Sequence, residues 1–186
     1  MYRCVGYYCL ENNVDLHDEN AVTQALDNIK IEMNSANQVF LNQEDVSAKI
    51  RHDRISMAAS VVSTYQEVRN FLVLQQRQMA SQGGVILDGR DIGTVVLPDA
   101  QLKIYQVASS KTRAKRRYLE NLQRGLEADL DTIQKEIEQR DYQDMHRKIS
   151  PLKKADDAIE IDTSDLSLEE VVDKVMELVI QKQKEG

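Results

Sequence analysis

The 186-residue sequence has no tryptophan, two phenylalanines, two cysteines, two prolines and seven glycines. With aromatics at 5 %, a surface that stacks nucleobases on rings is excluded. Cys4 and Cys9 lie five residues apart, without metal-ligand spacing. That excludes a disulfide scaffold and reads as a pair of reduced thiols. His17, His52 and His146 are scattered and read as surface or helix residues, so no metal site is expected. No apolar run reaches membrane length and no signal peptide is visible, so no membrane association is expected and a cytoplasmic location is. Acidic residues outnumber basic ones, 31 to 24, giving a net charge of -7 and a pI of about 5.1. This excludes a general nucleic-acid binder. It leaves room for a phosphate ligand, because a few focused arginines suffice locally.

What is present reads as one α/β domain, long enough for a real core. Residues 1–11 and 20–28 carry helical spacing. Ile29-Lys-Ile-Glu-Met33 alternates with period two, and Val39-Phe-Leu41 follows, which predicts a hairpin. Helical signals return at 44–50, 52–63 and 65–81, the last with a stripe of Val68, Phe71, Leu72, Gln75 and Met79. Gly83-Gly84 ends that helix. Strands are expected at 84–88, 101–107 and 158–162. A basic helix capped by Ser109-Ser110 runs to about Gly125, and a helix opened by Asp129 runs to about His146. The last helix is opened by a capping box, Ser167 with Glu170. Its Leu168, Val171, Val172, Val175, Leu178 and Val179 are expected to face a core. Strands alternating with helices imply a parallel sheet covered by helices.

The most informative segment is Gly84-Val-Ile-Leu-Asp-Gly-Arg-Asp91. Its apolar run stops at Asp88-Gly89-Arg90-Asp91, at the carboxyl end of the expected strand, where open α/β sheets bind ligands. Gly89 and Gly93 let backbone come close to a ligand. Arg90 offers a planar fork of donors to a phosphate. A second concentration of charge lies on the helix at 129–147. Leu130, Ile133 and Ile137 form an apolar stripe that continues, at steps of three or four, into Arg140, Asp144 and Arg147. Charges on the continuation of a core stripe point to a polar pocket. Because Asp144 supports no apolar packing, its replacement by Ala is expected to leave the fold largely intact.

The run Asp88-Gly-Arg-Asp-Ile-Gly-Thr-Val-Val-Leu-Pro-Asp-Ala100, followed by Leu102-Lys-Ile-Tyr105 and Ala108-Ser-Ser110, closely resembles bacterial cytidylate kinases. These enzymes move the terminal phosphoryl of ATP onto CMP or dCMP. The likeness extends through Arg140-Asp141, Asp144-Met-His-Arg147 and Pro151-Leu152. It implies that Arg140 and Asp144 meet the sugar hydroxyls and that Arg147 reaches phosphate. Cytosine offers an amino donor beside two acceptors, so an Asp–Arg pair can read its edge. By the resemblance, Ser60 in Met57-Ala-Ala-Ser60, Arg69 in Glu67-Val-Arg69, and Asp91 do this work. Arg3 in Met1-Tyr-Arg3 matches an arginine that binds the monophosphate, with Tyr2 beside the substrate. Arg113 and Arg117, one turn apart, match a helix that faces the ATP phosphates.

The resemblance implies a P-loop nucleoside monophosphate kinase-like fold. Its parallel sheet is flanked by helices, with a CMP-binding insert at 29–81 and a lid at 125–150. Its co-substrate is ATP with Mg2+; its partners are small-molecule nucleotides, with no nucleic acid. The family's Gly-x-x-x-x-Gly-Lys-Ser/Thr loop has no counterpart in these residues. Gly84 to Asp91 has the glycine spacing, but an apolar run fills the gap, and the lysine and hydroxyl are absent. The expectation is therefore an N-terminally truncated cytidylate kinase, an incomplete domain over 1–186 that lacks the first two strands of the family fold. Such a chain is expected to be inactive alone, and to self-associate where the complete enzyme is a monomer. The alternative is a non-catalytic nucleotide-binding or interaction protein derived from that fold.

Overall fold

A computed structural model describes residues 1–34 and 36–185. The chain forms two compact units, Met1–Val85 and Ile86–Gly186. The first begins with α1 (Tyr2–Glu11) and α2 (Glu19–Ala25), the latter capped by the Asp18 carboxylate, which accepts from Asn20 N and Ala21 N. An antiparallel sheet follows, β1 (Ile31–Met33), β2 (Val39–Leu41) and β3 (Glu44–Asp45), with Ile31 opposite Leu41 and Phe40 opposite Asp45. Helices α3 (Asp53–Val62) and α4 (Gln66–Ala80) complete the unit. The expected hairpin and four helical stretches are therefore present. The helix expected at 44–50 is not. Asp45 instead accepts from the Ser47 N–H at 2.9 Å and the Ser47 hydroxyl at 2.6 Å, a local turn that competes with helical bonding. A single 3-10 turn forms over Lys49–Arg51.

The unit is built around one apolar cluster. Cys4, Val5, Cys9, Val22, Val46, Val62, Val68 and Leu72 are fully buried in it. Both cysteines are free thiols. Burial pushes the Cys9 thiol up to about 11, so it stays protonated and packs as a small hydrophobe. Helices α1 and α3 approach closely because Gly6 has no side chain. A Cβ there would lie 2.9 Å from Ala58 Cβ and 3.0 Å from the Ala59 nitrogen.

The second unit holds a parallel pair, β4 (Ile104–Val107) and β5 (Ile159–Asp162), with Ile104 opposite Ile159 and Val107 opposite Asp162. Its helices are α5 (Ser110–Gln123), α6 (Leu130–His146) and α7 (Leu168–Glu185). The caps are those expected. Ser109 accepts from Thr112 N, and Asp129 accepts from its counterpart at Thr132. Ser167 and Glu170 bond reciprocally. Gly125, at φ +72°, ends α5 in the left-handed conformation that only glycine adopts cheaply. No helix among the described residues is long and apolar enough to cross a membrane. The α/β character and the helix-flanked parallel pair are consistent with a nucleoside monophosphate kinase fold.

Two expectations are corrected here. Residues 84–88 do not form a buried strand. They make no sheet pairing among the described residues, and Val85 and Ile86 are 44 % and 94 % exposed. An apolar run becomes a strand only when another strand satisfies its backbone. In α7 none of the described residues is buried. Val171, Val175, Leu178 and Val179 are half-buried, while Leu168 and Val172 are exposed. A two-stranded sheet offers little surface for an 18-residue helix to cover.

The α1–α3 contact yields a stability prediction. Gly6→Ala should lower unfolding free energy by about 1–3 kcal/mol, the usual cost of overpacking. Urea denaturation followed by circular dichroism measures it. An unchanged midpoint would mean that the two helices can part at little cost.

Candidate functional site

The sequence-derived site residues gather in two places, one in each unit. In the first unit they collect around the start of α1. Arg3 donates through Nη1 to the Ile50 carbonyl at 2.9 Å and through Nη2 to Ser56 Oγ at 3.3 Å. Ser60, one turn further along α3, donates its hydroxyl to the Ser56 carbonyl. Arg69, on α4, is 2 % exposed. Its Nη1 donates to the Ser63 carbonyl at 3.1 Å, and its guanidinium lies 5.5 Å from the centre of the Tyr2 ring, within cation–π range. Adjacent residues of α1 thus address α3 and α4, Arg3 the one and Tyr2 the other. Ser56 was not evident from sequence. Its signal is its position one turn before Ser60, on the same helix face.

In the second unit the centre is a carboxylate. Asp144 is 7 % exposed. Arg90 Nε donates to its Oδ2 at 2.8 Å, and Arg147 Nη1 lies 3.7 Å from its Oδ1. Arg147 is further fixed by donating from Nε to the Ser150 carbonyl at 2.7 Å. The Leu152 N–H bonds the Asp144 carbonyl at 2.7 Å, folding the Ser150-Pro151 segment back on the end of α6. Arg140 lies one turn before Asp144 on the same face. The apolar stripe does run into this charged face, but it starts at Ile133, since Leu130 is 38 % exposed. The arrangement also overturns the expectation that Asp144 is dispensable to the fold. It is a buried charge that holds two arginines.

Asp91 is buried at 5 % exposure and heads a single π-helical turn over Ile92–Val96. Its carbonyl accepts from the N–H groups of Thr94, Val95 and Val96, at 3.3, 2.8 and 3.3 Å. Such turns are uncommon and recur at functional sites. The two glycines of the motif are explained by packing within the chain. A Cβ at Gly89 would lie 3.0 Å from Ile92 Cδ1, and one at Gly93 would lie 3.3 Å from Lys103 Cδ. Lys103 pins the loop by bonding the Pro98 carbonyl and both carboxylate oxygens of Asp157, at 2.9 and 2.7 Å.

Arg113 is held rather than loose. Its Nη1 and Nη2 donate to the two oxygens of Asp141 at 3.0 and 2.5 Å, and its Nε donates to the Ala108 carbonyl. The bond to Asp141 raises the guanidinium above its ordinary value, against the opposing effect of burial. Ser110 reinforces the same helix pair by donating to Glu138 at 2.8 Å. Asp141 belongs to the Arg140-Asp141 pair visible in the sequence, but its partner is 28 residues away and left no local signal. Arg117 is half-buried one turn after Arg113. Among the described residues no group of three or more His, Cys, Asp or Glu side chains is arranged to hold a metal.

The buried carboxylate gives a direct test. Asp144→Asn should destabilise the protein by on the order of 3 kcal/mol, because it breaks the buried ion pair with Arg147. Thermal and urea unfolding measure this. A change under about 0.5 kcal/mol would place Asp144 among ordinary surface positions.

The family model described as cytidylate kinase matches residues 1–181. The chain is 50 % identical over 185 residues to a cytidylate kinase of Geobacillus sp. (strain WCH70), covering 98 % of this chain and 83 % of that protein. It is 46 % identical over 183 residues to one of Bacillus anthracis (strain A0248), covering 97 % and 81 %. It is 47 % identical over 182 residues to one of Bacillus cereus (strain ATCC 10987 / NRS 248), covering 96 % and 81 %. The family match over nearly the whole chain and relatives at 46–50 % identity show that the protein belongs to the cytidylate kinase family.

Proposed function

We propose that these residues bind CMP or dCMP as the phosphate acceptor of a nucleoside monophosphate kinase. The observation that carries this reading is the charge of the α6 cluster. Arg90 and Arg147 converge on one carboxylate, Asp144, and Arg140 lies one turn before it on the same helix face. These guanidinium groups form a cationic donor set at the end of α6. A phosphate monoester carries about -1.5 to -2 near neutral pH. The pair Arg90 and Arg147 is pre-oriented by that carboxylate, so ordering them on ligand binding costs little. Arg3 is the candidate for a further phosphate contact. Asp144 and Arg140 are the candidates for the sugar hydroxyls.

Base choice rests on Asp91, Arg69 and Ser60. Asp91 accepts from the cytosine amino group, and Arg69 donates to the acceptors beside it. Uracil has a carbonyl where cytosine has the amino group, so the wrong base leaves a buried carboxylate facing an acceptor. Two features support this. Both charges are nearly fully buried, where unsatisfied groups are costly. The Tyr2 ring and the Ser63 carbonyl also hold the Arg69 guanidinium in one plane.

Cytidylate kinases use ATP, with Mg2+, as phosphoryl donor. The residues present do not make that part of the site. They include no Gly-x-x-x-x-Gly-Lys-Ser/Thr run, and no metal-holding cluster lies among the described ones. Arg113 and Arg117 remain the candidates for the donor side, with the segment 125–150 as a lid, and no step of transfer is derived through ATP. The reading extends to a cytoplasmic protein of pyrimidine nucleotide metabolism. A nucleotide-binding protein without catalysis is the second reading.

Calorimetric titration with CMP and UMP tests the acceptor site. Asp91→Asn should weaken CMP by about 1–3 kcal/mol, the worth of one base-edge contact, and leave UMP nearly unchanged. Equal losses for both would remove Asp91 from base reading.

Turnover tests the donor side. These 186 residues, mixed with ATP, magnesium and CMP, should give no CDP at a useful rate. Loss of a single preorganised donor costs roughly 10²–10³ in rate, and here a whole cradle is lacking. Robust turnover by this chain alone would show that ATP is held by other residues.

A further inference from the structure

Ser56 sits near the start of α3, in a stretch whose Ile55, Ala58 and Ala59 belong to the core, and is itself only 9 % exposed. Serine is a middling helix former, and a buried hydroxyl needs a partner. The Ser56 hydroxyl meets Arg3 on α1, 53 residues away, whose Nη2 donates to Oγ at 3.3 Å. Nη1 of the same guanidinium donates at 2.9 Å to the Ile50 carbonyl, on the 3-10 turn Lys49–Arg51. Two separate elements therefore hold the two terminal nitrogens. A guanidinium is planar and rigid, so acceptors on both of those nitrogens fix its plane as well as its position.

That matters for what Arg3 can do. A loose arginine must be ordered when it meets a ligand, at a cost in rotamer entropy. One whose plane is already set presents its donor fork to a phosphate in a defined direction. The two anchors differ in kind. The Ile50 carbonyl is backbone, and any residue at that position would supply it. The Ser56 hydroxyl is a choice of side chain, since an alanine there would keep the helix and lose only the hydroxyl. Close packing of α1 on α3 does not require it, because Gly6 makes that contact against Ala58 and Ala59. The Ser56 carbonyl also accepts from the Ser60 hydroxyl at 3.2 Å. One turn of α3 thus joins the anchor of Arg3 to a candidate for base reading, within the unit Met1–Val85.

We infer that Ser56 is a positioning residue, which sets the plane of the Arg3 guanidinium for the phosphate of a nucleoside monophosphate. The inference rests on the proposed nucleotide reading, and adds to it a residue that acts through Arg3.

Two measurements test it, the first without ligand. Nuclear magnetic resonance of the free chain should show hindered rotation about the Arg3 Nε–Cζ bond, and Ser56→Ala should release it. The second is titration of this chain with CMP and with cytidine, which lacks the phosphate. Ser56→Ala should weaken CMP by about three- to tenfold, the range for one hydrogen bond, leave cytidine unchanged and keep the circular dichroism. In an Arg3→Ala background the same substitution should cost nothing further, as a double-mutant cycle requires of a pair that acts as one. A freely rotating Arg3 in the unaltered chain, equal losses for CMP and cytidine, no loss for CMP, or an undiminished loss in the Arg3→Ala background would each overturn the inference. An unaltered chain that binds no CMP would remove the nucleotide reading itself and the role of Ser56 with it, an outcome seen before any substitution is made.

Discussion

The carboxylate of Asp144 is the interaction on which the second unit's chemistry depends. A guanidinium cannot be neutralised by losing its proton, so an arginine brought out of water needs a counterion fixed in place. Asp144 supplies one to Arg90 and Arg147 together. Each link has a structural consequence. Arg90 ties the Asp88–Asp91 segment to α6. Arg147, bonded also to the Ser150 carbonyl, ties the end of α6 to the turn that follows. The left-handed Ser150, at φ +46°, sits in that turn, a costly conformation for a residue with a side chain. The same contacts that hold the segments also pre-arrange cationic donors around one buried anion.

The two units meet the entropy cost of folding by different means. The first encloses a continuous apolar cluster with residues at zero exposure on α1, α2, α3 and α4. The second has few buried apolar side chains, among them Val96, Ala114, Ile133 and Ile161. Its helices are joined instead by polar bridges. Arg113 spans α5 to Asp141 on α6, Ser110 reaches Glu138, and Arg116 reaches the carbonyls of Thr163 and Leu166 at the start of α7. Charge-assisted bonds are short and directional. They fix orientation well but exclude less water. That is a suitable framework for residues that must address a charged ligand.

Where the sequence was legible, the signal was local. The hairpin of β1 and β2, the caps at Ser109, Asp129 and Ser167, and the stop at Gly125 depend on neighbours within four residues or so. Local chemistry alone sets them. The charged continuation of the α6 stripe was legible for the same reason, because helical periodicity projects Ile133, Arg140, Asp144 and Arg147 onto one face before any partner is known. What was not legible depends on distant partners. Nothing near Asp141 announces Arg113, and nothing near Arg3 announces Ser56. The motif glycines had a further role that local sequence did not announce: a side chain at Gly89 would meet Ile92, and one at Gly93 would meet Lys103.

The segment after Gly84 shows most clearly why local signals fall short for strands. Helical hydrogen bonds close within the segment, so a good helical pattern is close to a sufficient condition. A strand's bonds close on another strand, so its pattern is only permissive. Ile104–Val107 and Ile159–Asp162 have each other and form. Val85 to Leu87 is as apolar as either, yet pairs with nothing among the described residues and leaves Ile86 almost wholly in solvent. The same reasoning reaches α7. Its apolar content is sufficient for a core helix, but burial depends on the width of the surface beneath it. A sheet of two strands accommodates one face of the helix, and Leu168, Val172, Met176 and Ile180 on the other face are exposed.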